Sequence, residues 1–201
     1  MSLFDKAIAA VTPPPSAEKR AEARKKARAA AKPGDWLSLI LEHHLEVEAA
    51  FANAKSAPDG ASRRKALEKL GALLNGHSMA EEAVVYPALA QAGEKGHAET
   101  AYAEQVGAKM NMAELENLEP MSQAWLDKLG HIEGAVAHHV YEEEGTWFPE
   151  LERKASAAVQ AKVTKRYKEE FDRYIGGEAK AEALSHRAAG ESRSFGDRPS
   201  T

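Results

Sequence analysis

The sequence predicts an all-α protein: an antiparallel up-down-up-down four-helix bundle with N- and C-terminal helical extensions. Three observations lead there. Apolar residues recur at helical spacing through four long stretches between residues 35 and 152, joined by short breaks. No stretch keeps the two-residue alternation of a half-buried strand. A chain of 201 residues, 43 % hydrophobic and 29 % charged, suits one domain with extensions rather than two full domains.

Residues 1–32 form a basic helical extension. Its first part, 1–12, is amphipathic and is stopped by Pro13, Pro14 and Pro15. From Ser16 to Lys32 the chain is Ala-rich and carries seven Lys or Arg against Glu18 and Glu22. That composition predicts a helix resting on the domain with a solvated basic face, or one that meets an acidic partner. Pro33-Gly34 breaks it, and Asp35 can cap the next helix.

The bundle occupies 33–153. Its helices are expected at about 35–56, 61–91, 95–118 and 121–152. The breaks are Ala57-Pro58-Asp59-Gly60, Gly93 and Glu119-Pro120, with Pro87 kinking the second helix and Pro149 near the end of the fourth. A further helix is expected within 154–177, on a stripe of Val159, Val163, Tyr167, Phe171 and Tyr174, ending at Gly176-Gly177. Residues 178–201, small, polar and charged, read as a disordered tail carrying His186.

Composition removes several chemistries. Cysteine is absent, which excludes disulfides, thiolate metal sites and a thiol nucleophile. The net charge of −4 supplies no global basic field for nucleic acid. No apolar run approaches the roughly 20 residues of a membrane span. The start, Met-Ser-Leu-Phe-Asp-Lys, lacks a signal peptide's long apolar stretch, so a cytoplasmic protein is expected. Histidine, by contrast, occurs eight times, and nitrogen and oxygen ligation remain open.

One pattern repeats 62 residues apart. His77-Ser-Met-Ala-Glu81-Glu82-Ala-Val-Val-Tyr86-Pro87 and His139-Val-Tyr-Glu-Glu143-Glu144-Gly-Thr-Trp-Phe148-Pro149 both read His-x-x-x-Glu-Glu-x-x-x-aromatic-Pro. Residues i and i+4 share a helix face about 6 Å apart along the axis, so each imidazole and carboxylate can converge on a metal. In the second bundle helix His77 and Glu81 fall inside the stripe of Leu70, Leu73, Leu74, Val84 and Ala88, and Glu82 falls outside. In the fourth, His139 and Glu143 point with Leu129, Ile132, Val136, Val140 and Trp147, while His131 and His138 point away. Two buried His–Glu pairs without a shared partner would be costly, which favours a metal over two separate hydrogen bonds. In the third helix the candidate is His97, which shares a face with Ala101, Ala108, Met112 and Leu115. In the first, His43 and His44 lie at nearly equal angles about the stripe Trp36, Ile40, Val47, Phe51, and periodicity does not choose between them.

These residues resemble the hemerythrin-like, or HHE cation-binding, family over roughly 35–152. The resemblance implies a four-helix bundle holding two non-haem irons bridged by carboxylates, with an oxo bridge between them a further expectation. Carried over by position, the ligands would be His77 and Glu81, His139 and Glu143, His97, and His44, with His43 the alternate. Oxygen-carrying hemerythrins place a second histidine four residues after the third-helix ligand. Here that position is Ala101, which leaves a place that is open, water-filled, or taken by one of the candidates Glu82, Glu144, Glu104, His43 and Tyr86. The open place favours a protein that senses or handles O2, nitric oxide, peroxide or iron over an oxygen carrier. The alternatives are a di-iron peroxidase or nitric oxide-detoxifying enzyme, with Tyr86 and Tyr141 beside the motifs, and a helical interaction module without metal. The expected partner is a small diatomic molecule or peroxide.

Overall fold

In the computed structural model of the chain, residues 15–194 are described, with side chains through residue 175. The amphipathic piece expected at 1–12 lies outside the described residues. All regular structure among the described residues is helical. Helix α1 is Ala17–Ala30, α2 Trp36–Ser56, α3 Gly60–Ala80, α4 Tyr86–Gln91, α5 Lys95–Glu116, α6 Gln123–Glu142, α7 Phe148–Lys154 and α8 Ala157–Ser194. A π-helical turn, Glu81–Val85, joins α3 to α4, and a second, Glu143–Trp147, joins α6 to α7.

Local chemistry sets the starts. Ser16, Asp35, Asp59 and Ser122 each accept a hydrogen bond from the backbone N–H three residues on, which caps α1, α2, α3 and α6. Gly34 and Gly93 have positive φ, so the breaks before α2 and after α4 use the conformation that glycine adopts most easily. No described helix is long and apolar enough to cross a membrane.

Helix α8 departs from the expected end. It continues through Gly176 and Gly177 to Ser194, so residues 178–194, expected as disordered tail, are helical. Each glycine costs a helix only about 1 kcal/mol against Ala, and the Glu-, Ala- and Lys-rich run that follows favours continuation. Residues 195–201 lie outside the described residues, as does the side chain of His186.

Both π-turns fall on the repeated motif, each beginning at the Glu of His-x-x-x-Glu. Tyr86 N–H bonds Glu81 C=O and Phe148 N–H bonds Glu143 C=O, the i to i−5 pattern. The prolines that follow, Pro87 and Pro149, have no N–H for the usual i−4 acceptor and would crowd it. Side chains meet two carbonyls within these turns: Tyr102 Oη donates to Glu82 C=O at 2.7 Å, and Lys26 Nζ donates to Gly145 C=O. The inserted residue also corrects one expected core position, since the structure buries Val85 where the regular phase favoured Val84.

The core has two apolar clusters. One gathers Trp36, Ile40, Val85, Leu89, Ala101, Trp147, Phe148 and Tyr167. The other gathers Val47, Phe51, Leu67, Leu70, Met112, Leu115, Trp125 and Leu129. On α2 the change from one cluster to the other happens around His44, on α3 around His77, on α5 around Gln105, and on α6 around His139. The polar residues thus form one layer between two apolar ones. Helices α2 and α3 pack together, as do α5 and α6; α8 lies along α3 and the first π-turn, and α1 lies on the second.

Candidate metal centre

Four buried side chains converge in the polar layer: His44, His77, Glu81 and Glu143 offer ligand atoms that all lie within 4.8 Å of one another. His44 is 1 % exposed and both carboxylates 0 %. His77 Nε2 stands 3.3 Å from Glu81 Oε2, and His44 Nε2 stands 3.3 Å from Glu143 Oε2. His139 joins from α6, with Nε2 3.2 Å from Glu143 Oε1. Glu143 therefore turns one oxygen to His44 and the other to His139.

Of the six ligands expected, five are brought together and His97 is not. His97 lies beside Glu94 and Glu150 on another part of the surface, its ring stacked on Trp147. Its neighbours Ala98 and Ala101 belong to the first apolar cluster, so its level on α5 is above the polar layer. The α5 residue at that level is Gln105, eight residues and about 12 Å further along the axis. Its amide donates to Glu81 Oε2 at 2.7 Å and also to Tyr86 Oη. Of the two histidines open on α2, His44 enters the cluster, while His43 stacks on Phe171 with ring centroids 3.7 Å apart. His131 is exposed and His138 half-buried.

Tyr86 occupies the side left by Ala101. Its hydroxyl lies 3.1 Å from Glu81 Oε2, 2.9 Å from Glu143 Oε1 and 3.1 Å from His139 Nε2. An ordinary helix would set Tyr86 about 140° around from Glu81; the π-turn aligns i with i+5 and brings the hydroxyl over the carboxylate.

Behind the inward nitrogens, each imidazole is held at Nδ1. His44 Nδ1 is 2.9 Å from Glu144 Oε1, His139 Nδ1 is 2.7 Å from Glu104 Oε2, and His77 Nδ1 is 3.2 Å from Tyr167 Oη. Such partners fix the tautomer and ring plane of metal-binding histidines. Glu144 and Glu104 stood among the residues expected to fill the open place; they hold ligand candidates from behind instead. Gln105, Tyr167 and Arg24 were not singled out for the site. Gln105 left one signal, a polar residue at i+4 from Ala101 in an apolar stripe.

The electrostatics are those of a site built around positive charge. Burial pushes the His44 and His139 imidazoles down, but the carboxylates beside them override it. His44 rises to about 9 through Glu143 and Glu144, and His139 rises well above the usual histidine range through Glu143 and Glu104. Burial and the Glu143 charge push Glu81 up, while burial and the His44 charge hold His77 well below the usual range.

The donor set fits a metal ion. His44 Nε2, Glu143 Oε2, Glu81 Oε1 and Gln105 Oε1 are buried in the centre without hydrogen-bond partners. Buried polar atoms are otherwise nearly always paired, and here the unpaired ones are atoms able to bind a cation. Sulfur is absent, and imidazole with carboxylate and phenol suits iron or manganese.

A cavity of about 320 Å3 opens between α2 and α6. His44 lines it, with Val47, Phe51, Val136, Val140, Gly130 and Gly134, and Arg20 and Glu48 add polar groups.

Comparison with known proteins bears on the family and the fold. The model of the hemerythrin HHE cation binding domain matches residues 36–151. No curated protein matches the sequence. A crystal structure of a hemerythrin HHE cation binding domain-containing protein from Mycobacterium kansasii is similar in fold, with a TM-score of 0.63 and 21 % identity over 71 % of this chain and 88 % of that one. With the family match spanning more than half of its length, the chain belongs to the hemerythrin HHE cation-binding domain family and has a hemerythrin-like, all-helical fold.

Proposed function

We propose that the protein is a non-haem iron protein of hemerythrin type that binds two irons between His44, His77, Glu81, His139 and Glu143. One observation carries this reading: the two oxygens of Glu143 face imidazoles on two different helices, His44 and His139, at 3.3 and 3.2 Å. A carboxylate so placed could be shared by two ions. His44, His77, Glu81, His139 and Glu143 would hold the ions. The helices α2, α3–α4, α5 and α6–α7 would be the four members of an antiparallel bundle.

When bound, iron supplies a redox-active centre for a small oxidant or diatomic ligand. The chain's own groups shape what reaches it. The mostly apolar walls of the α2–α6 cavity admit small uncharged molecules toward His44. Tyr86 Oη donates to the buried carboxylates, which keeps a proton beside the centre; burial and those charges hold the phenol well above its usual range. Ala101 adds no ligand on the α5 side and leaves that approach to Tyr86 and Gln105. These features support sensing or handling of O2, nitric oxide or peroxide. Turnover of peroxide or nitric oxide is the second reading, favoured by the cavity at His44.

Anaerobic reconstitution with ferrous iron, followed by metal analysis and the optical spectrum in air, tests the proposal. Two irons per chain and an oxidised-iron charge-transfer spectrum are expected. Iron-free protein, or undiminished iron in a His44→Ala, His139→Ala double variant, would overturn it. Peroxide turnover no faster than that of free iron would remove the second reading.

A further inference from the structure

Two helices outside the matched domain reach the centre. The domain covers residues 36–151, whereas α1 ends at Ala30 and α8 begins at Ala157. Each is seated on one π-turn, α8 on the first and α1 on the second. The fit is close at both. A Cβ placed on Gly145 would lie 3.5 Å from the Ala23 methyl, and one on Gly76, next to His77, only 2.9 Å from Ile175 Cδ1.

Each helix adds one polar side chain behind an inward histidine, α8 directly and α1 through Glu144. An imidazole that gives Nε2 to a metal carries its proton on Nδ1, so Nδ1 donates. His44 Nδ1–H donates to Glu144 Oε1 at 2.9 Å. Glu144 is in turn gripped by Arg24 of α1, whose Nε lies 3.0 and 3.1 Å from its two oxygens. The remaining nitrogens of that guanidinium hold Glu48 at 3.0 and 2.9 Å, so the arginine bridges α2 and the second π-turn in one fixed plane. His77 Nδ1–H donates to Tyr167 Oη of α8 at 3.2 Å. Tyr167 then gives its own proton to His43 Nδ1 at 2.8 Å. Because the Tyr167 oxygen accepts from His77, its own O–H is left to point at His43 Nδ1, whose ring is stacked on Phe171. His139 differs: Glu104, its partner, belongs to α5 inside the domain.

We infer that Arg24 and Tyr167 are positioning residues of the metal centre, fixing the ring plane and protonated nitrogen of His44 and His77 from helices outside the family's domain. This rests on reading those imidazoles as metal ligands. The residues touch no metal; Arg24 acts through Glu144, and Tyr167 through its hydrogen bond. Replacing such partners weakens metal binding about 10- to 100-fold in comparable sites. The two helices thereby become parts of the centre, and the His43 next to the ligand His44 becomes the end of the tyrosine's hydrogen-bond chain.

The test uses the full chain with Co2+ as probe, comparing wild type, R24Q, Y167F and E144Q. Affinity is read by chelator competition, and the metal-shifted Nδ1–H signals of the three histidines by proton NMR. Y167F is expected to weaken Co2+ binding about tenfold or more and to move the His77 signal alone. R24Q is expected to weaken it similarly, to move the His44 signal, and to add little in an E144Q background, because it acts through that carboxylate. The His139 signal serves as the unmoved control. A purely structural role would lower thermal stability and leave the shifted signals in place. Wild-type affinity and unmoved signals in Y167F and R24Q overturn the inference. A wild type that binds no Co2+ and shows no shifted signals overturns the metal reading itself, and this inference with it.

Discussion

Glu143 carries more of the site than any other single residue, because its two oxygens serve different histidines and both lie out of water. Glu143→Gln keeps the size and removes the charge and one ligating oxygen. The expected outcome is loss of at least one of two irons with helical content unchanged, measured by metal analysis beside circular dichroism. His97→Ala is expected to leave the metal content at the wild-type value, since His97 stands with Glu94 and Glu150 away from the polar layer. The contrast shows what residue spacing reveals. The i, i+4 pairs on α3 and α6 were legible because the same spacing that makes them neighbours also gives them one direction. His97 has the right direction on α5 but the wrong height, and periodicity reports angle without height. His43 and His44 lie one residue apart, and tertiary packing separates their roles: His43 meets Phe171 and Tyr167, His44 meets Glu143 and Glu144.

At the scale of elements, the breaks before α2, α3 and α5 and the Asp35 cap were legible, being local chemistry. The π-turns were not, because an inserted residue shifts phase without changing composition; the prolines at 87 and 149 were their visible trace. Nor was the α8 contact with the first π-turn, which depends on a glycine at 76 and on a tyrosine 90 residues along the chain from His77. Helix α6 offers a test of the route to His44. A Cβ on Gly134 meets nothing within 4 Å, and Gly134 lines the cavity. Gly134→Leu therefore fills open space rather than overpacking the core, and replacing glycine in a helix costs no stability by propensity. The expected result is an unchanged metal content with slower reaction of the reduced centre with nitric oxide, followed by stopped-flow absorbance. An unchanged rate would mean that ligands arrive from another side.

At the scale of the whole molecule, the polar layer divides one core into two, and its unpaired donors make the metal-free fold less stable than the metal-bound one. A ligand that binds only the folded chain stabilises it by mass action, about 2.7 kcal/mol at a hundredfold excess over the dissociation constant. For a chain of this length that corresponds to a rise in Tm of roughly 5–10 °C. Iron or cobalt addition is therefore expected to raise Tm, and a chelator to lower it again. The rise should depend on pH, with a definite sign. His44 is held protonated up to about 9 by Glu143 and Glu144, and a metal takes the neutral imidazole, so binding at lower pH must release that proton. Each proton released weakens apparent affinity about tenfold per pH unit below the group's pKa. The metal-induced rise in Tm should then be largest near pH 9 and shrink steadily toward pH 6, as scanning calorimetry with and without Co2+ would measure. In E144Q one of the two carboxylates that raise His44 loses its charge, so the imidazole gives up its proton more easily and the same curve should move to lower pH. A pH-independent rise in wild type would mean that neither His44 nor His139, both held protonated by neighbouring carboxylates, is among the ligands, even if metal binds.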